Sequence, residues 1–346
     1  MNKIDNKNKC IIGLLSVLHL LCDLICVLKV IGVLSEKYIL GHTLIFILYN
    51  GFAFLLQPIA GIIVDKFHRE RLLLVISCTF IILGVLLNNL VFSCIFLGLS
   101  NQLFHVAGGK ICTNLSTDKA WHLGLFVSLG AIGLMVGSNF YQYRILLIVP
   151  IILYVIITTI VCLLYNEKCT NKDVTLQCNK VCLPKKIFAI AFLVIVVFIR
   201  SFVGKIIHYD FEMTTTYIVL FGIASMLGKF IGGVLKDIFG SMKVILVCLV
   251  LCGIILIFLD HVFILMLLGT ILINISMPIT LFELNKLNPG KEGVNFGLLA
   301  AVLFPGVAIG ILYEYEVISY SILVIAAMAL SIYGIYHVKR LEKCGK

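Results

Sequence analysis

Charged side chains are what this chain has least of. Asp, Glu, Lys and Arg together make up 13% of its 346 residues, about half the share of a soluble domain. That excludes an ordinary water-soluble globule. Polar connections are scarce as well: residues 166–186 form the one long polar segment, and Asn88-Asn89 and Asp260-His261 are complete turns. Little is left over to build a soluble catalytic or binding domain, so the work is done within the bilayer. A nucleophile paired with its base is missing, as is an H-E-x-x-H pair, and with them an intramembrane enzyme. What is present is apolar. Hydrophobic residues reach 61%, mean hydropathy is +1.14, and the apolar runs extend over roughly 18 to 24 residues, enough to cross a hydrocarbon core of about 30 Å.

Twelve spans are predicted, at roughly 10–34, 42–64, 72–88, 90–110, 121–140, 145–165, 187–208, 213–235, 244–259, 262–283, 294–313 and 317–338. The first follows Lys3, Lys7 and Lys9 and lacks a small-residue cleavage site, so it reads as a retained helix and not a signal peptide. With the N-terminus inside, 21 Lys and Arg fall on the inner side and 3 (Lys37, Arg144, Lys205) on the outer, while Lys29, Arg200 and Lys229 lie within spans. This bias places both termini in the cytoplasm of a cell-membrane protein. The net charge of +10 is therefore topogenic, and no nucleic acid is expected as a partner. None of the 13 Cys falls in an outer loop, which leaves no disulfide framework. Cys169, Cys178 and Cys182 share the central inner loop without a CxxC or paired His, so neither a metal nor a cofactor is expected.

The chain repeats itself. Gly61 to Arg71 reads G-I-I-V-D-K-F-H-R-E-R, and Gly233 to Lys243 reads G-V-L-K-D-I-F-G-S-M-K. An Asp follows each Gly by four (Asp65, Asp237), and a cation follows each Asp by six (Arg71, Lys243). Gly124, Gly133 and Gly137 recur as Gly297, Gly306 and Gly310. The offsets are 172 and 173 residues, as expected of a carrier built from two repeats. Gly61 and Gly233 permit close helix approach. Asp65 and Asp237 can accept hydrogen bonds from a neighbouring helix N-terminus or pair with a cation, and contacts of that kind, made in one access state and broken in the other, form gates together with Arg69, Arg71 and Lys243.

Twelve spans in two six-span halves, with a G-x-x-x-D…basic loop after spans two and eight, resemble the major facilitator superfamily over essentially the whole chain. His68 stands where the family's loop carries Gly. The resemblance implies an all-α membrane fold of two pseudo-symmetric halves, 1–165 and 187–346, joined by a cytoplasmic linker at 166–186, and alternating access by rocking of the halves.

Charges inside spans need a reason, because each costs several kcal/mol in hydrocarbon. Span one carries Ser16, His19, Asp23 and Cys26 on one helical face. Asp23 lies 14 residues beyond Lys9 and Arg200 14 beyond Lys186, so both sit about 21 Å along their helices. In the superfamily, spans one and seven line the central cavity, which implies that Asp23 and Arg200 face common polar space. Asp23 then binds and releases a proton as its surroundings change, with His19 sharing it; the alternative is a permanent ion pair. Arg200 has the further option of holding an anionic substrate group. His105 and Asn101 share a face of span four and, with Gln57 of span two, are candidates to line the cavity; a buried His105 bonded to a backbone carbonyl is the other reading. Glu283 stands near Lys286 and reads as half of an interfacial salt bridge. The span-one His and Asp, Leu103-Phe104-His105 and Arg200-Ser201 are similar to the fosmidomycin-resistance-type exporter branch, although Val106 and Ala107 replace that branch's Pro and Glu. The expectation is a monomeric, proton-coupled exporter of a small organic compound, the alternative an importer or facilitator of a small metabolite, anionic or neutral.

Overall fold

The computed structural model describes residues 3–34, 42–116, 118–143, 145–167, 183–207, 211–312 and 317–344, and every regular element among them is helical. α1 (Lys3–Val27) continues into a π-helical stretch, Leu28–Leu34. α2 (His42–Asn50) is joined to α3 (Gln57–Phe67) by a second, Gly51–Leu55. α4 (Glu70–Leu86), α5 (Leu90–Leu115), α6 (Trp121–Asn139) and α7 (Ile145–Leu164) complete the first half of the chain. The second half holds α8 (Leu183–Ile206), α9 (Thr215–Phe239), α10 (Ser241–Phe258), α11 (Phe263–Leu287), α12 (Glu292–Ala301), α13 (Leu303–Leu312) and α14 (Val317–Cys344). Among the described residues, 11 helical runs are long and apolar enough to cross a membrane. The remaining predicted span, 72–88, is α4, a helix of 17 residues. Lys37, Arg144 and the central-loop cysteines lie outside the described residues.

Local chemistry sets the helix ends. Asn89 accepts a hydrogen bond from the Phe92 amide and starts α5, and Thr214 does the same for Tyr217 at α9, each supplying an acceptor for an otherwise orphaned N–H. Pro58 stands in the first turn of α3, where its missing N–H costs nothing. Pro278 and Pro305 differ in effect. The α12–α13 break falls at Val302, three residues before Pro305, whereas α11 runs through Pro278 unbroken. Ile62, Leu86, Leu163, Ile264 and Leu312 each expose more than half of their surface, a pattern suited to lipid and not to water.

The chain forms two compact units. One comprises Met1–Thr117, Leu125–Lys172 and Lys291–Gly297; the other comprises Asp118–Gly124, Asp173–Gly290 and Leu298–Lys346. Each therefore contains one half of the chain plus a seven-residue segment from the other half. Both donated segments include the first turn of a helix, α12 in the first unit and α6 in the second.

Candidate functional site

In the first unit, α1 turns its predicted polar face inward: Ser16, His19, Asp23 and Cys26 are all buried. Ser16 is bonded back to the Ile12 carbonyl, and the Cys26 thiol reaches the Leu97 carbonyl at 3.7 Å. His19 and Asp23, one helical turn apart, meet α5. Asn101 Nδ2 donates to Asp23 Oδ1 at 2.9 Å. His105 Nε2 stands 2.8 Å from His19 Nε2 and 3.6 Å from Asp23 Oδ1, while His19 Nε2 is 3.3 Å from Asp23 Oδ2. Asn101 and His105, expected to line a substrate cavity, are thus gathered around Asp23. Of the two readings of His105, the structure shows the bond to a backbone carbonyl: its Nδ1 lies 2.8 Å from the Asn101 carbonyl oxygen.

Close packing makes this cluster possible. A Cβ at Gly130 of α6 would overlap His19 Nε2 and stand 2.7 Å from Asp23 Oδ2, and one at Gly133 would strike the Leu20 carbonyl. The ligand-capable atoms of His19, Asp23 and His105 all lie within 4.8 Å of one another. Gln57 is buried away from the cluster's bonds, donating to the Ala53 carbonyl at 2.8 Å, with its Oε1 unpaired.

Asp65 does what its position at a helix end suggested. Its Oδ1 accepts from the Gly293 amide at 3.0 Å and its Oδ2 from the Val294 amide at 2.8 Å, capping the first turn of α12. Gly61 brings the backbones together; a Cβ there would lie 2.5 Å from the Gly293 carbonyl oxygen. Behind the cap is a network the sequence reading did not find. Lys110, 2% exposed, reaches Asp65 at 3.2 Å, Glu70 at 3.0 Å, the Val64 carbonyl at 2.8 Å and His68 Nδ1 at 3.2 Å. Periodicity could not separate this lysine from the cations that merely set topology. His68 has φ +50° and ψ +46°, the left-handed region that favours glycine. Arg71 holds the end of α7: its side chain donates to the Tyr165 carbonyl and its amide to Glu167. Arg69 is exposed.

The second unit repeats the device. Asp237 accepts from the amides of Ala120 and Trp121 at 2.8 and 2.9 Å, capping α6, and a Cβ at Gly233 would lie 2.5 Å from the Ala120 carbonyl oxygen. Gly240, the counterpart of His68, has φ +84°. Lys236 supplies the neighbouring charge, 3.1 Å from Asp237, while Lys243 is exposed. Glu283 is fully buried, bonded by Ser241, and pairs with Lys339 of α14 at 2.6 Å; a contact between segments so distant leaves no local signal in the sequence. Arg200 is buried in α8, donates to Thr280 Oγ1 of α11 at 2.9 Å and leaves its Nε without a partner. Among the described residues no carboxylate lies in ion-pair range of it. Next to it, Ser201 bonds the Leu303 carbonyl at the α12–α13 break.

The sequence profile of the Major Facilitator Superfamily matches residues 30–311. No curated protein matches in sequence. Among solved structures the fold is similar to the transporter FucP in its outward conformation, with TM-score 0.67 and 16% identity over 94% of this chain and 98% of that one. A variant of the E. coli fucose:proton symporter FucP gives TM-score 0.61 and 15% identity over 97% and 98%.

Proposed function

The chain belongs to the Major Facilitator Superfamily, and on that footing we propose that it is a proton-coupled exporter of a small organic compound, working by alternating access. The family's members are membrane transporters and not enzymes, and the same holds for this chain. The observation that carries the proton coupling is the His19–Asp23–His105 cluster. Asp23 is 5% exposed in a membrane-spanning helix, and its ion-pair partners are two imidazoles, with no Lys or Arg in range among the described residues. A fixed cation would hold the carboxylate in one state; imidazoles titrate near neutral pH and let the cluster load and unload. The gates are the paired Asp65 and Asp237 caps, each tying a helix end of one half of the chain to a helix start from the other half. Both belong to the cytoplasmic ends of their helices if the termini are cytoplasmic, as the lysine distribution supports.

The test is tolerance to a panel of antibiotics and toxic metabolites, fosmidomycin included, in a pump-deleted bacterium expressing wild type or Asp23→Asn at matched levels. Resistance conferred by wild type and lost in the variant is expected. No change in tolerance to any compound removes the export reading.

Import of a small anion is the second reading. Arg200 favours it: a buried guanidinium with one neutral hydroxyl partner and an orphaned Nε is incomplete without an anion. One solved structure of the same fold is named as a proton symporter. Uptake of radiolabelled organic anions into proteoliposomes, driven by an imposed pH gradient and lost in Arg200→Gln, would establish this direction.

A further inference from the structure

We propose that the coupling proton is held between the Nε2 atoms of His19 and His105, and that Asp23 remains a carboxylate throughout as their fixed counter-charge. This rests on the proton-coupled reading above and assigns the atoms that carry the proton.

The argument is an inventory of hydrogens. His19 Nδ1 lies 2.8 Å from the Phe126 carbonyl oxygen, and His105 Nδ1 lies 2.8 Å from the Asn101 carbonyl oxygen. Carbonyl oxygens only accept, so each Nδ1 must carry its hydrogen. A neutral imidazole has a single N–H. Both Nε2 atoms would then present bare lone pairs, and these face each other at 2.8 Å with a carboxylate beside them. Two acceptors do not rest at hydrogen-bonding distance without a hydrogen between them. One added proton resolves the conflict: the protonated Nε2 of one ring donates to the lone pair of the other. A first-row metal ion fits less well, because ligands at about 2.0–2.1 Å in tetrahedral geometry hold their donor atoms about 3.3 Å apart.

Asp23 is arranged to stay ionised. Its Oδ1 accepts from Asn101 Nδ2, and its two oxygens flank the imidazole pair at 3.3 and 3.6 Å, ion-pair distances outside the Nε2–Nε2 contact. The other titratable groups near it are the thiols of Cys22 and Cys26 and the phenol of Tyr49. The rings of Phe104 and Phe126 on His19, and of Phe296 on His105, wall the pair. The charge balance follows. Loaded, the site holds one imidazolium, one imidazole and one carboxylate, and is neutral. Empty, it is a net anion with two opposed lone pairs. A neutral, internally bonded cluster tolerates removal from water far better than an uncompensated charge, so loading is what allows the helices to close over it. His105 is therefore a proton-carrying residue and not part of the substrate surface.

The decisive measurement is pH-difference infrared spectroscopy on the purified full-length protein in lipid nanodiscs, with ¹⁵N-labelled histidine to identify imidazolium bands. Raising the pH should remove imidazolium intensity with release of one proton per protein, without loss of any carboxylic acid band. His19→Gln and His105→Gln should each abolish this change, and Asp23→Asn should leave imidazole bands but alter the pH at which they titrate. A carboxylic acid band that Asp23→Asn removes would place the proton on Asp23, overturning this assignment while leaving proton coupling in force. Stoichiometric binding of Zn²⁺ by wild type, abolished in His105→Gln and displacing the proton at micromolar metal, would overturn it in favour of a metal site. Identical difference spectra in wild type and all three variants would remove both the assignment and the coupling reading. The wild-type spectrum decides which group is protonated even where a variant fails to fold.

Discussion

Replacing Asp65 by Asn tests the gate at a single oxygen. The carboxylate accepts two backbone amides, Gly293 at 3.0 Å and Val294 at 2.8 Å, and pairs with buried Lys110 at 3.2 Å. Asn is nearly isosteric, but one of its two head atoms is an NH₂ that faces an N–H and cannot accept. One amide is thus orphaned, and the other keeps only a neutral acceptor. Hydrogen bonds to charged groups contribute about 1.5–3 kcal/mol and neutral ones about 1 kcal/mol. Lys110 retains Glu70 at 3.0 Å, so no unpaired buried charge is created and the loss is confined to the cap. The capped conformation should weaken by about 2–3 kcal/mol, a factor of about 30 to 150 in the opening equilibrium. Hydrogen–deuterium exchange reads this directly, since the amides of Gly293 and Val294 exchange when the cap opens. Asp65→Asn should accelerate exchange in that segment by this factor, change the transport rate, and leave the amount of inserted protein unaltered. Acceleration of less than about threefold, with normal insertion, would refute the cap as the element that holds this conformation.

Lys110→Met should be far more damaging than Asp65→Asn, because it leaves Asp65 and Glu70 facing each other without a cation; breaking a buried pair this way costs about 3–5 kcal/mol. The thermal midpoint in detergent should fall and recover in part when Glu70→Gln is added, and no recovery would count against the network. Gly130→Ala should insert normally yet impair pH-driven transport, as its methyl displaces His19 and Asp23. Overpacking of about 1–3 kcal/mol corresponds to about 5- to 150-fold, and undiminished pH-driven transport would show that the cluster tolerates displacement.

The parts of this architecture legible in the sequence are those whose signal is local or duplicated. Gly61–Asp65 and Gly233–Asp237 are each spaced by about one helical turn, and their recurrence at a constant offset pointed to two duplicated halves; a helix N-terminus or a cation was expected at each aspartate, and each meets both. His19 and Asp23 are four residues apart, so helical periodicity alone brings them together. Asn101 and His105 were placed on one face of α5 for the same reason, but periodicity does not say what a face meets. That depended on α6 presenting Gly130 and Gly133 to α1, and on the approach of α1 to α5. The pairing of Glu283 with Lys339 left no signal in the sequence because the two are 56 residues apart. Lys110 escaped notice because a lysine near the inner end of an apolar span satisfies the charge bias equally well pointing out or in; only packing turned it inward.

The same short segment touches both the gate and the cluster. Gly293 and Val294 take the Asp65 cap, and Phe296, two residues on, packs its ring onto Gly109 of α5 and stands 6.3 Å, centroid to centroid, from His105 and 6.0 Å from Phe126. A change in charge at His105 that alters its ring position is therefore felt by the segment whose amides Asp65 holds. Coupling of this kind is reciprocal: if proton loading biases the cap, the cap biases proton affinity by the same factor. In wild type, protection of the Gly293 and Val294 amides, corrected for the intrinsic pH dependence of exchange, should shift across the titration of the imidazole pair. Phe296→Ala removes the ring while leaving His19, Asp23, His105 and Asp65 in place, so both sites should persist and the shift should vanish. An unchanged shift in Phe296→Ala, with the cap and the titration intact, would mean that the two sites communicate by another route or through the fold as a whole.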